Sequence, residues 1–199
     1  CIRDSRLSLI DKKVNAPFPG KKAGGVIIPK KGIHEIKKLL ETSSGKVEMS
    51  IEGSHLIFRQ EPTVLMVKLI EGKYPNYQQL IPPKFLRKVN VSREDLLSGL
   101  RRVSLLSNQK SRGITLSITN GTMEIYSSNP EMGDAKEELD VSYDGESLKI
   151  GFNARYLMDI LNNIHEEQID IQLNDQLSPG IVRPAKDDGY TCVVMPMRI

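Results

Sequence analysis

The chain repeats one supersecondary pattern three times, and this repetition restricts its fold more than any other feature of the sequence. Residues 25–60, 87–129 and 147–185 each read as a short strand, an amphipathic helix and two further strands joined by a turn. Another extended segment follows each copy. Strands grouped with single helices predict an α+β fold, with helices on one face and antiparallel sheets on the other, and not a doubly wound parallel sheet.

The predicted helices carry apolar stripes at helical spacing, and local signals mark where elements begin and turn. Ser92 with Asp95 resembles a capping box, Asn153 is placed as an N-cap, and Asn120-Gly121 predicts a hairpin turn. The three stripes are Ile33, Ile36, Leu39 and Leu40; Leu96, Leu97, Leu100 and Val103; and Tyr156, Leu157, Ile160, Leu161 and Ile164.

Two copies that close on each other would form one domain of roughly 110 to 120 residues, a common domain size. We therefore predict a complete domain at 86–199 and, at 1–85, the second half of a domain whose first half is absent. Turn-rich residues 73–77 and the pair Pro82-Pro83 mark this boundary. Because the first residue is Cys1 rather than Met, we expect the chain to be a fragment.

Bulk composition and motif searches exclude several classes of protein. No apolar run approaches the roughly 18 to 20 residues that span a bilayer, and no secretory signal opens the chain, so we expect a cytoplasmic protein without membrane association. No phosphate loop, GxGxxG, HExxH or GxSxG motif occurs. Three isolated histidines and two separated cysteines give no metal-ligand spacing. We predict no catalysis, no cofactor and no metal.

Charge is distributed unevenly, although the net charge is only +3. Residues 1–90 hold 17 Lys and Arg against 8 Asp and Glu, whereas 91–199 hold 11 against 17. The basic residues Lys30, Lys31, Lys37, Lys38, Arg101, Arg102, Lys110 and Arg112 lie on or beside the first two helices. They form either an ordinary solvated face or a set of non-specific phosphate contacts, and the residues alone favour neither.

Two further segments each admit two interpretations. The acidic run from Glu131 to Glu146 either protects a sheet edge from unwanted pairing or docks a basic partner. The apolar C-terminus from Val193 to Ile199 is unusual for a chain end. Its two methionines either belong to a core or line an adaptable groove for short peptides.

Several segments closely resemble the beta subunit of bacterial DNA polymerase III, the sliding clamp family. The most specific is the C-terminal heptapeptide Val-Val-Met-Pro-Met-Arg-Ile, and the others are residues 72–77, 102–107, 128–131, 138–141 and 150–156. The resemblance extends from about Arg6 to Ile199. It implies a DNA-clamp fold and a processivity factor that encircles double-stranded DNA without regard to sequence. It also implies a homodimeric ring when the chain is full length.

The resemblance further implies a pocket for the clamp-binding motifs of the DNA polymerase III alpha subunit, the clamp loader and other partners. The matching positions are Arg6, Leu7, Pro75, Leu80, Asn153, Tyr156, Leu177, Val193, Val194, Met195, Pro196, Met197, Arg198 and Ile199. The implied DNA-facing residues are Lys30, Lys31, Arg102 and Lys110, and the implied dimer edge comprises Leu105, Leu106, Glu131, Asp134, Glu137 and Glu138.

The sequence also departs from the family. Where the family has Asp-Gly-His-Arg-Leu, this chain has Asp4, Ser5, Arg6 and Leu7, so the pocket histidine has no counterpart, and Pro179 replaces a small polar residue. Because the first domain and half of the middle domain are missing, we expect no closed ring from this chain. The alternative function is a stand-alone α+β peptide-binding regulatory module that does not bind DNA.

Overall fold

The computed structural model describes residues 8–12, 25–42, 44–73, 76–186 and 189–198, without the side chains of 8–12, 77 and 80. It divides into two units, one formed by Cys1–Asn15 with Tyr77–Ile199 and the other by Ala16–Asn76. In chain order the elements are β1 (Ser8–Lys12), α1 (Lys30–Thr42), β2 (Glu48–Glu52), β3 (His55–Gln60), β4 (Thr63–Lys68), a 3-10 helix (Tyr77–Leu80), β5 (Arg87–Ser92), α2 (Arg93–Ser104), β6 (Gly113–Thr119), β7 (Thr122–Asn129), β8 (Gly133–Asp140), β9 (Leu148–Asn153), α3 (Ala154–Leu161), β10 (Gln168–Leu173), β11 (Gly180–Pro184) and β12 (Tyr190–Val194).

The larger unit contains two antiparallel sheets. One sheet has the order β1-β12-β11-β10-β5 and the other the order β8-β7-β6-β9. Helices α2 and α3 contact each other, and residues from both sheets pack with them into one core. Leu100, Ile114, Phe152 and Ile160 are almost completely buried in it. The predicted α+β architecture with antiparallel sheets is confirmed.

Local sequence signals place the helix starts and one turn of this unit. The Oγ of Ser92 accepts the N–H of Asp95 at 3.3 Å, which caps α2. The Oδ1 of Asn153 accepts two N–H groups at the start of α3. Residues 120 and 121 form the turn between β6 and β7, and Gly121 adopts the positive φ of 76° that favours glycine. The N-caps at Ser92 and Asn153 and the turn at 120–121 are confirmed, and of the capping box the structure shows the hydrogen bond from the Asp95 N–H to Ser92.

The smaller unit contains one copy of the repeat. Helix α1 packs on the sheet β2-β3-β4 through a core of Ile36, Leu56, Phe58 and Val67. The predicted first strand of this copy is reduced to one bridge, between Ile27 and Ile70. The predicted apolar stripe of α1 is only partly buried, because Ile33 is 48% and Leu40 50% exposed.

No helix in the described part of the chain is long and apolar enough to cross a membrane.

Candidate functional site

A groove lies where the C-terminal tail crosses from one sheet of the larger unit to the other. After β12 the tail reaches β9, and the N–H of Met197 donates to the carbonyl oxygen of Gly151 at 2.8 Å. This bridge holds the tail beside a cavity of about 340 Å³. The cavity is lined by Thr115, Lys149, Ile150, Gly151, Gln176, Leu177, Met197 and Arg198.

The loop between β10 and β11 forms one lip of this groove, and its own side chains fix it. The Oδ1 of Asp175 accepts the N–H groups of Leu177 at 2.8 Å and Ser178 at 2.7 Å. The Ser178 hydroxyl also donates to this carboxylate, and these hydrogen bonds lower the pKa of Asp175. These hydrogen bonds fix the backbone of the loop, on which Leu177 is 64% exposed. An exposed leucine held in place is suited to contact an apolar ligand group.

The same loop is tied to the segment that enters β5. The Oδ1 of Asn174 accepts the N–H of Leu86 at 2.8 Å, and its Nδ2 donates to the carbonyl oxygen of Lys84 at 3.1 Å. Arg87 donates to the carbonyl oxygen of Asn174 and to Glu146. The position of the groove lip therefore depends on residues distant in sequence.

The lining combines apolar surface with hydrogen-bond donors. Leu177 and Met197 offer apolar contacts, and the exposed Lys149, Gln176 and Arg198 line the groove beside them. Thr115 also lines the groove but is buried. Donors beside an apolar groove fit a short extended peptide, whose side chains fill the groove and whose carbonyl or carboxylate oxygens meet the rim.

The structure brings three of the predicted pocket residues together in this groove, namely Leu177, Met197 and Arg198. Met195 and Pro196 are half-buried in the tail that leads to it. Val193 and Val194 are fully buried, and Val193 packs with Ile181 against Ile81 and Phe85. The two valines therefore anchor the tail rather than line the cavity.

Asn153 and Tyr156 are not among the residues that line the groove. Asn153 is buried, where its Oδ1 caps α3 and its Nδ2 donates to the carbonyl oxygen of Ser111 at 2.9 Å. Tyr156 is half-buried against the main core. Leu80 belongs to the 3-10 helix, and its side chain is not described. Arg6, Leu7, Pro75 and Ile199 lie outside the described residues.

Sequence reasoning missed Thr115, Lys149, Ile150, Gly151 and Gln176. Thr115 lies directly opposite Gly151 in the pairing of β6 with β9, and Lys149 lies opposite Ser117. Residues 150 and 151 belong to a segment that carried the family resemblance. Strand alternation could have placed Lys149 and Gly151 on one face, but the partner strand is not readable from the sequence.

The predicted DNA-facing residues are exposed, but one of them is engaged elsewhere. Lys30 and Lys31 stand at the start of α1, and Lys110 lies in the turn region before β6. Arg102 instead donates from Nε to Oε2 of Glu137 at 2.8 Å, and from Nη2 to the other carboxylate oxygen. The structure thus pairs a predicted DNA contact with a residue of the predicted dimer edge.

Basic residues also flank a second cavity on the helical side of the larger unit. This cavity, of about 290 Å³, is lined by Ser104, Arg112, Ala154, Arg155 and Met158. Arg112 and Arg155 are both exposed, and Arg101 donates to Oδ1 of Asn162 at 3.4 Å. Arg155 was not predicted, because the repeat places it in the first turn of a helix without other basic residues.

The predicted dimer-edge residues lie on two elements that contact each other. Strand β8 is the last strand of its sheet and contacts α2. Leu105, just after α2, is 75% exposed, and Leu106 is half-buried. Glu131, Asp134 and Glu138 are exposed along or beside β8, and Glu137 is half-buried against Arg102.

Histidine, cysteine and acidic side chains do not cluster as metal ligands anywhere in the residues that the structure covers.

Comparison with known protein families identifies the family of this chain. The sequence matches the family model of the DNA polymerase III beta subunit, C-terminal domain, over residues 78–198, and that of the central domain over residues 4–76. The chain belongs to the DNA polymerase III beta subunit family. The resemblance found in the sequence is thereby confirmed over nearly its whole extent.

Individual clamp proteins agree with this membership. The beta sliding clamp of Pseudomonas aeruginosa is 37% identical over 186 residues, which cover 94% of this chain and 51% of the relative. That of Vibrio cholerae is 32% identical over 194 residues, or 98% and 52% of the two chains. The chain therefore spans about half the length of these relatives.

Solved clamp structures share the fold. The DNA polymerase III beta subunit of Pseudomonas aeruginosa matches with a TM-score of 0.91 and 36% identity over 96% of this chain and 53% of that one. A sliding clamp of Bartonella birtlesii bound to griselimycin matches with a TM-score of 0.90 and 34% identity, covering 96% and 52%.

Proposed function

We propose that this chain is part of a DNA sliding clamp, a non-catalytic processivity factor that encircles duplex DNA as a ring. In this role residues 1–85 form the second half of the middle domain and 86–199 the C-terminal domain. The ring tethers the DNA polymerase III alpha subunit, the clamp loader and other proteins that carry the clamp-binding motif, in the cytoplasm. The family match across both parts of the chain supports this role over a stand-alone regulatory module.

The groove beside Met197 is the observation that carries the proposal. The tail carries an adaptable methionine, Met197, held by a backbone bridge, and Leu177 and Arg198 line the same cavity. Strand β1 pairs with β12, the strand that leads into the tail, and places Ser8 opposite Val194. We propose that this region is the partner-peptide pocket. Of the predicted positions, Leu177, Met197 and Arg198 line the groove.

Titration of a short clamp-motif peptide, with one Gln and two apolar anchors, tests this proposal. Met197→Ala should weaken binding by about 1–3 kcal/mol, since truncating a central apolar anchor removes much of the interface energy. Met132→Ala is the matched control, because Met132 is 58% exposed at the turn before β8, away from the groove lining. Equal affinity of the two variants would refute the pocket.

We propose that Lys30, Lys31, Lys110 and Arg102 contact DNA phosphates weakly. A ring that slides cannot depend on base contacts, and phosphate contacts are independent of sequence and sensitive to salt. Arg112 and Arg155 extend this set, because both are exposed beside α2 and α3. Anisotropy titrations with two duplexes of unrelated sequence should give the same affinity and the same salt dependence.

We propose that Leu105, Leu106 and the acidic residues of β8 form the edge that meets a neighbouring subunit in the full-length ring. Leu105 is 75% exposed just after α2, and α2 contacts β8, the edge strand of its sheet. This exposure beside the sheet edge supports the assignment. In a chain extended to the length of its relatives, Leu105→Ala with Leu106→Ala should weaken the dimer by removing apolar contact area. An unchanged dimer dissociation constant would contradict it.

A further inference from the structure

The larger unit contains two equivalent strand pairings, because it holds two copies of the repeat. In each pairing, the strand that leads into a helix joins the second strand of the other copy: β5 pairs with β10, and β9 pairs with β6. Ser92 and Asn153 cap the helices that follow β5 and β9. Lys88 and Lys149 each lie four residues before these caps. The same lysine position therefore occurs twice in this unit.

Two backbone bridges support this equivalence. Asn90 pairs with Ser142, and Gly151, at the same distance from its helix, pairs with Met197. A cavity opens beside each bridge, namely the groove next to Met197 and a second cavity of about 620 Å³ beside Asn90. The groove and the second cavity are thus equivalent places in the fold.

In the second cavity the lysine is neutralised within the chain. Nζ of Lys88 lies 2.9 Å from Oδ2 of Asp170, and Nδ2 of Asn90 donates to the other carboxylate oxygen at 2.9 Å. The Asp170 side chain is only 5% exposed, whereas that of Lys88 is 61% exposed. Because a buried carboxylate needs charged or hydrogen-bonding partners, Lys88 and Asn90 compensate the burial of Asp170. The fold thus places a lysine at this position within reach of a carboxylate beside the strand pair.

In the groove that internal carboxylate is missing. Thr115 stands at the position that Asp170 has in the second cavity. Gly151 replaces Asn90 in the same way, so the groove has neither the carboxylate nor the carboxamide. Lys149 lines the groove, is exposed, and forms no ion pair with any residue that the structure describes.

The other charged groups near the groove do not neutralise Lys149. Arg198 lines the groove, has the same sign of charge, and is also without an ion pair among the described residues. Asp175 lies in the loop of the groove lip, but its carboxylate accepts hydrogen bonds from Leu177 and Ser178 and is not part of the lining. Within the described residues the groove lining therefore carries two cations and no carboxylate.

We propose that Lys149 binds an acidic side chain of the partner peptide, in the place that Asp170 occupies beside Lys88 in the second cavity. The groove then selects peptides that carry Asp or Glu next to an apolar anchor. This inference rests on the proposed peptide pocket. It adds a charge selectivity that the apolar contacts of Leu177 and Met197 do not provide.

Anisotropy titrations of the complete 199-residue chain test this selectivity. The probes are clamp-motif peptides with amidated C-termini, which carry Asp at one position after another beside the apolar anchors. Each is matched by a peptide with Asn at the same position. We expect one Asp peptide to bind about three- to tenfold more tightly than its Asn counterpart at low salt, between the effect of an exposed ion pair and that of a buried charged hydrogen bond. Because the contact is ionic, this ratio should shrink at high salt.

Two pairs of variants assign the preference to its residues. Lys149→Gln should bring the ratio of the two affinities close to one. Lys186→Gln is the matched control and should keep the ratio, since Lys186 is an exposed lysine of the same unit outside the groove lining. Thr115→Asp should lower the ratio by giving Lys149 an internal carboxylate, whereas Thr115→Asn, of the same size, should not. A circular dichroism spectrum of each variant shows whether the fold is retained.

The outcomes separate this inference from the proposed pocket. If the Asn peptides bind and Met197→Ala weakens them, but no Asp peptide binds more tightly, the pocket stands and the charge selectivity is wrong. A preference for Asp that survives Lys149→Gln, or equal ratios in the two Thr115 variants, would also overturn the selectivity. If Met197→Ala leaves the affinity of every peptide unchanged, the pocket itself is wrong, and the selectivity with it.

Discussion

Arg102 and Glu137 join α2 to β8 through a two-point ion pair, with 2.8 Å between Nε of Arg102 and Oε2 of Glu137. This hydrogen bond lowers the pKa of Glu137 and raises that of Arg102. Arg102 lies on the helix side where DNA contact is proposed, and Glu137 lies on the proposed dimer edge. The pair therefore connects two surfaces with different proposed partners.

The first prediction concerns the charge that Glu137 neutralises. Glu137→Gln should raise affinity for duplex DNA about two- to fivefold at low salt and steepen the salt dependence, because it frees a cation for phosphate contact. Glu131→Gln is the control, since it removes the same charge from an exposed acidic residue without freeing an arginine. Equal effects in the two variants would show that Arg102 does not contact DNA.

The second prediction concerns stability at low pH. Because the folded pKa of Glu137 is lowered, its contribution is fully present above the unfolded value of about 4.3 and is lost as pH falls through the folded pKa. The Tm of the native chain should exceed that of Glu137→Gln by about 1–3 °C at pH 7, since exposed pairs contribute little, and by less at pH 3. Thermal melts across this range measure it. A Tm difference between the two proteins that grows as the pH falls would contradict this prediction.

The features readable from the sequence are those decided over a few residues. The caps at Ser92 and Asn153 and the turn at Gly121 depend on neighbours within one helical turn or hairpin, so their residue types reveal them. The groove depends on long-range pairing, in which Thr115 meets Gly151 and the tail returns to β9. No local pattern specifies which strand will lie beside which. The sequence therefore did not predict that the first strand of each copy in the larger unit pairs with the second strand of the other, β9 with β6 and β5 with β10.

In the smaller unit, the burial of helix α1 also differs from what its sequence pattern predicts. The stripe of α1 predicts a helix face, and that helix forms, but Ile33 and Leu40 remain exposed while Ile36 is buried. Periodicity reports which side of a helix is apolar, whereas burial also requires a covering surface. In the larger unit the second copy of the repeat supplies that surface.

The third prediction separates a structural role of Asn153 from a binding role. Its Oδ1 accepts the N–H groups of Arg155 at 3.0 Å and Tyr156 at 3.4 Å, and its Nδ2 donates to Ser111. Asn153→Ala should lower the free energy of unfolding by about 1–2 kcal/mol through loss of the cap. Asn153→Asp keeps the capping oxygen and should lose less.

Chemical denaturation of both Asn153 variants gives their stabilities, and titration with the clamp-motif peptide gives their affinities. Because the amide is already engaged within the fold, affinity should remain unchanged under conditions where the variants stay folded. Weaker peptide binding by Asn153→Ala at native stability would instead place this amide in the pocket.

The fourth prediction concerns Gly32, where helix propensity and packing oppose each other. Replacing a helix-interior glycine with alanine usually stabilises by about 0.5–1 kcal/mol. Here the added Cβ would lie 2.4 Å from Cγ1 of Val67, which is buried on β4. Because overpacking a well-packed core costs about 1–3 kcal/mol, packing should prevail and Gly32→Ala should destabilise the smaller unit.

A double-variant cycle tests this cause directly. Val67→Ala removes both γ-methyl groups, including the Cγ2 atom that would lie 3.2 Å from the new Cβ. Val67→Ala should itself be destabilising, because it leaves a cavity, yet in that background Gly32→Ala should become neutral or stabilising. Gly25→Ala, with nothing within 4 Å of its Cβ, provides a control without a clash. Denaturation of the four variants and the native chain gives the coupling. If Gly32→Ala destabilises equally with valine or alanine at position 67, the contact with Val67 is not the reason for glycine at position 32.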